Sequence, residues 1–229
     1  MSINASLLQS IRLRLGRGIH PSFSTATHVA DIYEAYIFSL VIRAAINEGA
    51  IPEQGGALTF RDPQDKITAD LLFRRSPGQI YSESQPYTHA VIEFAGKPAL
   101  EVHVGIKAIG RLKVARECDI SVLYRDRAMA CRSQRRIPKA TDIVIAIECK
   151  HVETLDLEAA SEFLGLASDL RVKESWFFVA SSASSSVARM LANDRKEWHQ
   201  EVVPNEPNNV NRLTYALQTS FKNFKARHG

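Results

Sequence analysis

Asp142-Ile143-Val144-Ile145-Ala146-Ile147-Glu148-Cys149-Lys150 is the stretch on which the fold of this chain turns. A short β-branched apolar run that ends on an acid and then a base predicts a buried strand. Successive side chains of a strand point to opposite faces. Glu148 and Lys150 therefore share one face, while Ile145, Ile147 and Cys149 share the other and fill a core. A second stretch, Glu117-Cys118-Asp119-Ile120-Ser121-Val122-Leu123, has the same character. There Asp119 and Ser121 face one way, with Cys118, Ile120 and Val122 facing the other. Paired in register, the two strands bring Asp119, Glu148 and Lys150 to one rim. Charges entering buried strands are costly unless they are paired or coordinated, so these residues call for an explanation.

Upstream, residues 27–48 form a predicted helix with Thr25 or Thr27 as cap, Asp31 in its first turns and Gly49 as its end. Its inward stripe of Ile37, Phe38, Val41 and Ala45, extended backwards, includes Glu34, a carboxylate on an apolar face. The proline- and glycine-broken region 51–96 reads as an antiparallel, β-rich insertion. Strands are expected at 67–73, 89–94 and 100–106. Beyond Lys150 a helix at 155–170, a strand at 175–180 and a helix at 186–194 predict a crossover to a parallel neighbour. The chain ends in an amphipathic helix at 210–224. Residues 1–15 alternate Leu and Ile with Arg, as a short surface or dimer-contact helix would. The expected fold is α/β, one domain over residues 1–229, with a mixed central sheet flanked by helices.

The 229 residues, 45% hydrophobic and 24% charged, suit a globular domain with a sizeable core. A net charge of +4 allows a polyanionic partner without demanding one. Three cysteines, an odd number, point away from a disulfide framework and towards a reducing cytoplasm. No apolar run is long enough for a membrane span. Cys131, Cys149 and His151 do not make a zinc site, because no Cys-x-x-Cys pair is present and Cys149 faces the core. Ser181 to Ser186 reads as a helix cap rather than a nucleophile turn. Glu101 and His103 share a strand face, expected to be solvated or hydrogen-bonded.

Two carboxylates with a backbone carbonyl suit a hard divalent cation, which takes oxygen ligands and retains water. Asp119, Glu148 and the Cys149 carbonyl are the candidate ligands, with Glu34 completing the site. Lys150 is placed to orient a water and offset charge in a phosphoryl transition state.

The order Glu34 on a helix, Asp119 on one strand, Glu148-Cys149-Lys150 closing the next, then a helix and a parallel strand, resembles the PD-(D/E)xK nuclease superfamily. The resemblance spans residues 27–190. It implies a restriction-endonuclease-like core and a Mg²⁺-dependent endonuclease, with Mn²⁺ as a substitute, that hydrolyses DNA. It also implies 5′-phosphate and 3′-hydroxyl products, a homodimer or higher oligomer, and a place in prokaryotic antiviral defence. The sequence departs from the pattern in a minor way at Cys118, which stands in place of a Pro that many members also lack, and further in the length of chain between Asp119 and Glu148 and in lacking Gln-x-x-x-Tyr after Lys150. That long connection, 125–141, is expected to be a protruding basic loop. Its Arg125, Arg127, Arg132, Arg135, Arg136 and Lys139 would contact DNA beside the scissile phosphate. A non-catalytic nucleic-acid-binding or assembly module of the same fold, and a nuclease acting on RNA, are the competing readings.

Overall fold

In a computed structural model the chain builds a seven-stranded mixed sheet with helices on both faces, together with a two-stranded sheet to one side. The structure describes residues 2–84, 86–172, 175–193 and 197–228. The elements run α1 (Ile3–Leu15), β1 (Gly18–Ile19), α2 (Val29–Asn47), β2 (Ala57–Arg61), β3 (Asp70–Leu71), β4 (His89–Glu93), β5 (Leu100–Ile109) and β6 (Ala115–Tyr124). There follow α3 (Arg125–Ser133), β7 (Ile143–Lys150), α4 (Leu157–Asp169), β8 (Ser175–Ala180), α5 (Ser185–Asn193), β9 (Glu197–His199) and α6 (Pro207–Arg227). The large sheet has the order β2-β4-β5-β6-β7-β8-β9. It is antiparallel from β2 to β7 and parallel from β7 to β9.

The two acid-bearing strands pair as expected, with Ile120 opposite Ile147 and Val122 opposite Ile145. The α4 crossover makes β8 a parallel neighbour of β7. Helix α2 is apolar on nearly all sides, the pattern of a helix enclosed by other elements. It lies against the sheet and is covered by α1 and α6. His28, not a threonine, caps it, the ring Nδ1 accepting from the Ala30 N–H at 3.3 Å. Lys225 of α6 closes the other end by donating to the Glu48 carbonyl at 2.6 Å and its carboxylate at 2.9 Å. The apolar faces of the first and last helices are used inside the chain. Leu7, Leu8 and Ile11 of α1, and Leu213, Leu217, Phe221 and Phe224 of α6, are buried with α2 in one cluster. Ile3 and Leu13 of α1 and Tyr215 of α6 stay exposed.

A second cluster occupies the opposite face, under α3, α4 and α5. Cys149 lies in the first cluster and Cys131 in the second, so the two thiols are on opposite sides of the sheet. Two further expectations change. The basic segment is a helix, α3, followed by a short 3-10 turn at Ala140–Asp142, rather than a protruding loop. The 51–96 region, expected as an inserted antiparallel β-rich segment, joins the central sheet through its antiparallel strands β2 and β4. The strand expected at 67–73 shrinks to Asp70–Leu71, which pairs in parallel with β1. Among the described residues no helix is long and apolar enough to cross a membrane.

Candidate metal centre

The site begins with a bend. Gly105 in β5 has φ +61, a left-handed conformation open to glycine at little cost. Its neighbours Val104 and Ile106 pair with Ile120 and Cys118, so Asp119 lies across from it on β6. The phase of the hairpin changes there. Val102, Val104, Ile120 and Val122 belong to the first cluster, whereas Ile106, Ala108 and Cys118 belong to the second. Strict alternation, which would have put Cys118 with Ile120, is corrected at this point. The far half of the hairpin lies over the second face, and its tip is tied to the end of α4. Leu112 N–H donates to Asp169 Oδ1 at 2.8 Å, Arg111 N–H to the Asp169 carbonyl at 3.1 Å, and Arg116 pairs with Asp169 Oδ2 at 3.3 Å.

At the bend the Asp119 carboxylate takes over a backbone hydrogen bond: the Cys149 N–H donates to its Oδ2 at 2.7 Å. The amide N–H of Cys149 thus fixes Asp119, and its carbonyl stays the expected ligand for a cation. Glu148 Oε1 holds Lys150 Nζ at 3.0 Å, and Glu162 of α4 lies 3.8 Å from the same ammonium. Glu34 enters from α2 on the other side.

Electrostatics bind these groups into one cluster. Burial pushes the Asp119 carboxyl well above its ordinary range, repulsion from Glu148 adds to this, and the Cys149 N–H works against it. Burial also raises Glu148, against the pull of Lys150. Glu34 is pushed up to about 10, by burial first and then by Asp119, Glu117, Asp31 and Glu148. Burial would lower the Lys150 ammonium, but Glu148, Asp119 and Glu162 outweigh it and raise its pKa. Glu117, raised by burial and by Glu148, is a member that the sequence reading passed over. Its position two residues before Asp119 was the available signal. Tyr33 was also missed. Its ring meets His151 edge-on at 5.3 Å, and its buried hydroxyl has no hydrogen-bond partner among the described residues.

A buried set of mutually repelling carboxylates with one close ammonium fits a hard divalent cation, since every side-chain donor is oxygen. The carboxylates of Glu34, Asp119 and Glu148 do not meet tightly as a trio. Among the described residues the one group of three whose ligand atoms lie within 4.8 Å of one another is Asp65, His89 and Glu101. The fit is therefore to an ion held by one or two carboxylates that keeps much of its water, the usual pattern for Mg²⁺.

The Asp65, His89 and Glu101 group is of another kind. Arg132 grips both oxygens of Glu101, at 2.6 and 2.8 Å, and His103 Nε2 lies 3.1 Å from Oε2. Arg125 holds Asp65 Oδ2 at 2.8 Å and approaches Glu101 at 3.7 Å. His89 and His103 stack at 5.0 Å. Two guanidiniums already neutralise these acids, and a cation would have to displace them. Burial would raise Glu101, but the bonds from Arg132 and His103 prevail and hold it well below the usual carboxylate range. The Glu101 and His103 face is thus hydrogen-bonded, as one expectation had it, but it is buried rather than solvated.

This network takes up two residues of the basic segment. Arg132 and Arg125 are engaged with carboxylates under the sheet and do not form an open DNA-facing row. Arg127 pairs with Asp126 at 3.5 Å, and Arg135 lies 3.7 Å from Glu83 and over the Tyr81 ring. Arg136 donates to Gln134 at 3.0 Å, and Lys139 is exposed. The segment joins Tyr124 to Ile143, the opposite ends of β6 and β7 from Asp119 and Glu148. At about 3.3 Å per residue, that places it on the order of 15 Å from the acid cluster rather than beside it.

No family model, curated protein or solved structure matches this chain.

Proposed function

We propose that this protein is a Mg²⁺-dependent nuclease of the restriction-endonuclease-like type that hydrolyses DNA phosphodiester bonds at Asp119, Glu148 and Lys150. The observation that carries this reading is the Asp119 carboxylate held on the Cys149 N–H at 2.7 Å, with the Glu148–Lys150 pair at 3.0 Å on either side of that residue and Glu34 close enough to feel both acids. Buried carboxylates that repel one another destabilise a fold unless a cation offsets them, and groups perturbed in this way are characteristic of catalytic sites. The topology supports the same reading: an antiparallel trio bears the acids, and α4 crosses to a parallel strand.

When bound, a divalent cation polarises a phosphate oxygen and lowers the pKa of a water. Asp119 and Glu148 would hold it, and Glu34 would act from the far side through its carboxyl group. The Cys149 N–H fixes the Asp119 carboxylate in place. Lys150, steadied on Glu148, presents its ammonium to a non-bridging phosphate oxygen and orients the attacking water. The α2 helix screens the cluster from bulk solvent on one side.

Supercoiled plasmid incubated with Mg²⁺ tests the proposal. Nicking by the wild type is expected, with Glu148→Gln and Lys150→Met reduced by roughly 10²-fold or more, as for loss of a transition-state stabilising group. Equal activity in wild type and variants, or cleavage that survives EDTA, refutes it. A parallel labelled RNA of the same sequence distinguishes the two nucleic acids as substrates.

A further inference from the structure

The basic segment that lies away from the acid cluster forms a cavity of its own, about 670 Å³ in volume, at the foot of β6 and β7. We propose that this cavity, with Tyr124, Arg127, Arg136, Lys139, Thr141 and His228 in its wall, binds a phosphorylated small molecule of nucleotide size. The volume lies within the roughly 300–1,000 Å³ of small-molecule pockets. Its charge is unbalanced where it opens. Of the two acids in the wall, Asp126 is paired with Arg127 at 3.5 Å. Asp142 is buried, and its Oδ2 accepts from the Lys139 backbone N–H at 2.9 Å. Among the described residues no carboxylate forms an ion pair with Arg136 or with the Lys139 ammonium. A guanidinium and an ammonium left in this way suit a phosphate, which they bind through charge-assisted hydrogen bonds.

The other wall is aromatic and fixed. Tyr124 and His228 are joined through the hydroxyl and Nε2 at 3.1 Å, with their rings 5.8 Å apart and nearly perpendicular. A flat heterocycle can pack there while its phosphates reach Arg136 and Lys139. The exposed Thr141 hydroxyl is available to a sugar. A duplex engaged at Asp119 and Glu148 meets the opposite end of the strands, so the scissile nucleic acid is a poor occupant of this cavity.

Titration calorimetry on the full chain, with ATP as probe, tests the inference without any reference to cleavage. Saturable ATP binding is expected, with affinity lowered about tenfold or more in Arg136→Gln/Lys139→Gln, the scale of lost charge-assisted contacts. Thermal melts of the double variant should match the wild type, since Lys139 is exposed and the half-buried Arg136 side chain bonds, among the described residues, only to the exposed Gln134 next to it. Inorganic tripolyphosphate is expected to bind more weakly than ATP. Absence of ATP binding, or equal binding by the variant, overturns the proposal. Tripolyphosphate binding as tightly as ATP removes the nucleotide assignment, and displacement of ATP by a short DNA duplex makes the cavity a nucleic-acid contact instead.

Discussion

Two buried charge clusters share the same pair of strands and obey opposite rules. Around Glu101, on β5, every acid has a guanidinium or imidazole, and the carboxyl is held low. Around Asp119, on β6, the acids face one another and are pushed high. Asp119 is 8% exposed and Glu101 0%, so burial alone does not separate them. The partners do. A buried carboxylate given Arg132 is part of the scaffold, whereas several carboxylates sharing one lysine and one backbone N–H leave charge for a cation to balance.

The contrast is sharpest when one partner is removed. Arg132→Leu should leave Glu101 charged and unpaired in the interior, at a cost of about 3–5 kcal/mol, the scale for breaking a buried pair. Asp119→Asn should do the reverse in EDTA. The amide oxygen still accepts from Cys149 N–H and one repelling charge is gone, so stability should hold or rise by about 1 kcal/mol, roughly one pKa unit of relieved repulsion. Urea denaturation of both variants makes the comparison, and comparable losses in the two would abolish the distinction drawn between the clusters.

A smaller effect separates them by ligand. Mg²⁺ at about a hundred times its dissociation constant should stabilise the wild type by roughly 2.7 kcal/mol. It should leave Asp119→Asn nearly unmoved and should stabilise a His89→Gln variant as it does the wild type. Thermal melts with and without Mg²⁺ read this directly. Loss of the Mg²⁺ shift in His89→Gln, with retention in Asp119→Asn, would move the cation to the Asp65, His89 and Glu101 group.

The subtlest difference is in pH. Glu34, raised from 4.5 to about 10, contributes stability that is present below its unfolded value and declines as pH rises towards 10. His89, lowered from 6.5 to about 3, contributes stability that is present above 6.5 and is lost as pH falls towards 3. Glu101, also lowered, loses its contribution on the acid side. Metal-free denaturation from acid to alkaline pH should show both limbs. Glu34→Gln should flatten only the alkaline one, by at most about 1.4 kcal/mol per pH unit. An unchanged alkaline slope in Glu34→Gln would show that its carboxyl is not strained by its neighbours.

What could be read from the residues follows the range of the interactions. The α2 helix, β7 and the α4 crossover to β8 are written in local periodicity, and all three formed within a few residues of expectation. Asp119, Glu148, Lys150 and Glu34 were visible because each is a charge in an apolar run. The bend was not, because one glycine in Val104-Gly105-Ile106 gives no sign of the phase change that it permits. The pairing of Arg132 with Glu101 joins positions 31 apart, and no local pattern records it. Helix α3 was hidden by its own charge, since only Ala128 and Cys131 are buried along it. β9, three residues long, is too short to carry an alternation.

The tie between the hairpin tip and Asp169 joins Leu112 to a residue 57 positions later. One arm of the bend is set by its sheet neighbours, and the other is anchored on the end of α4. The carboxylates of β6 and β7 therefore reach their final juxtaposition only after the β7-α4-β8 unit has docked. Contacts this distant in the chain form late and slowly.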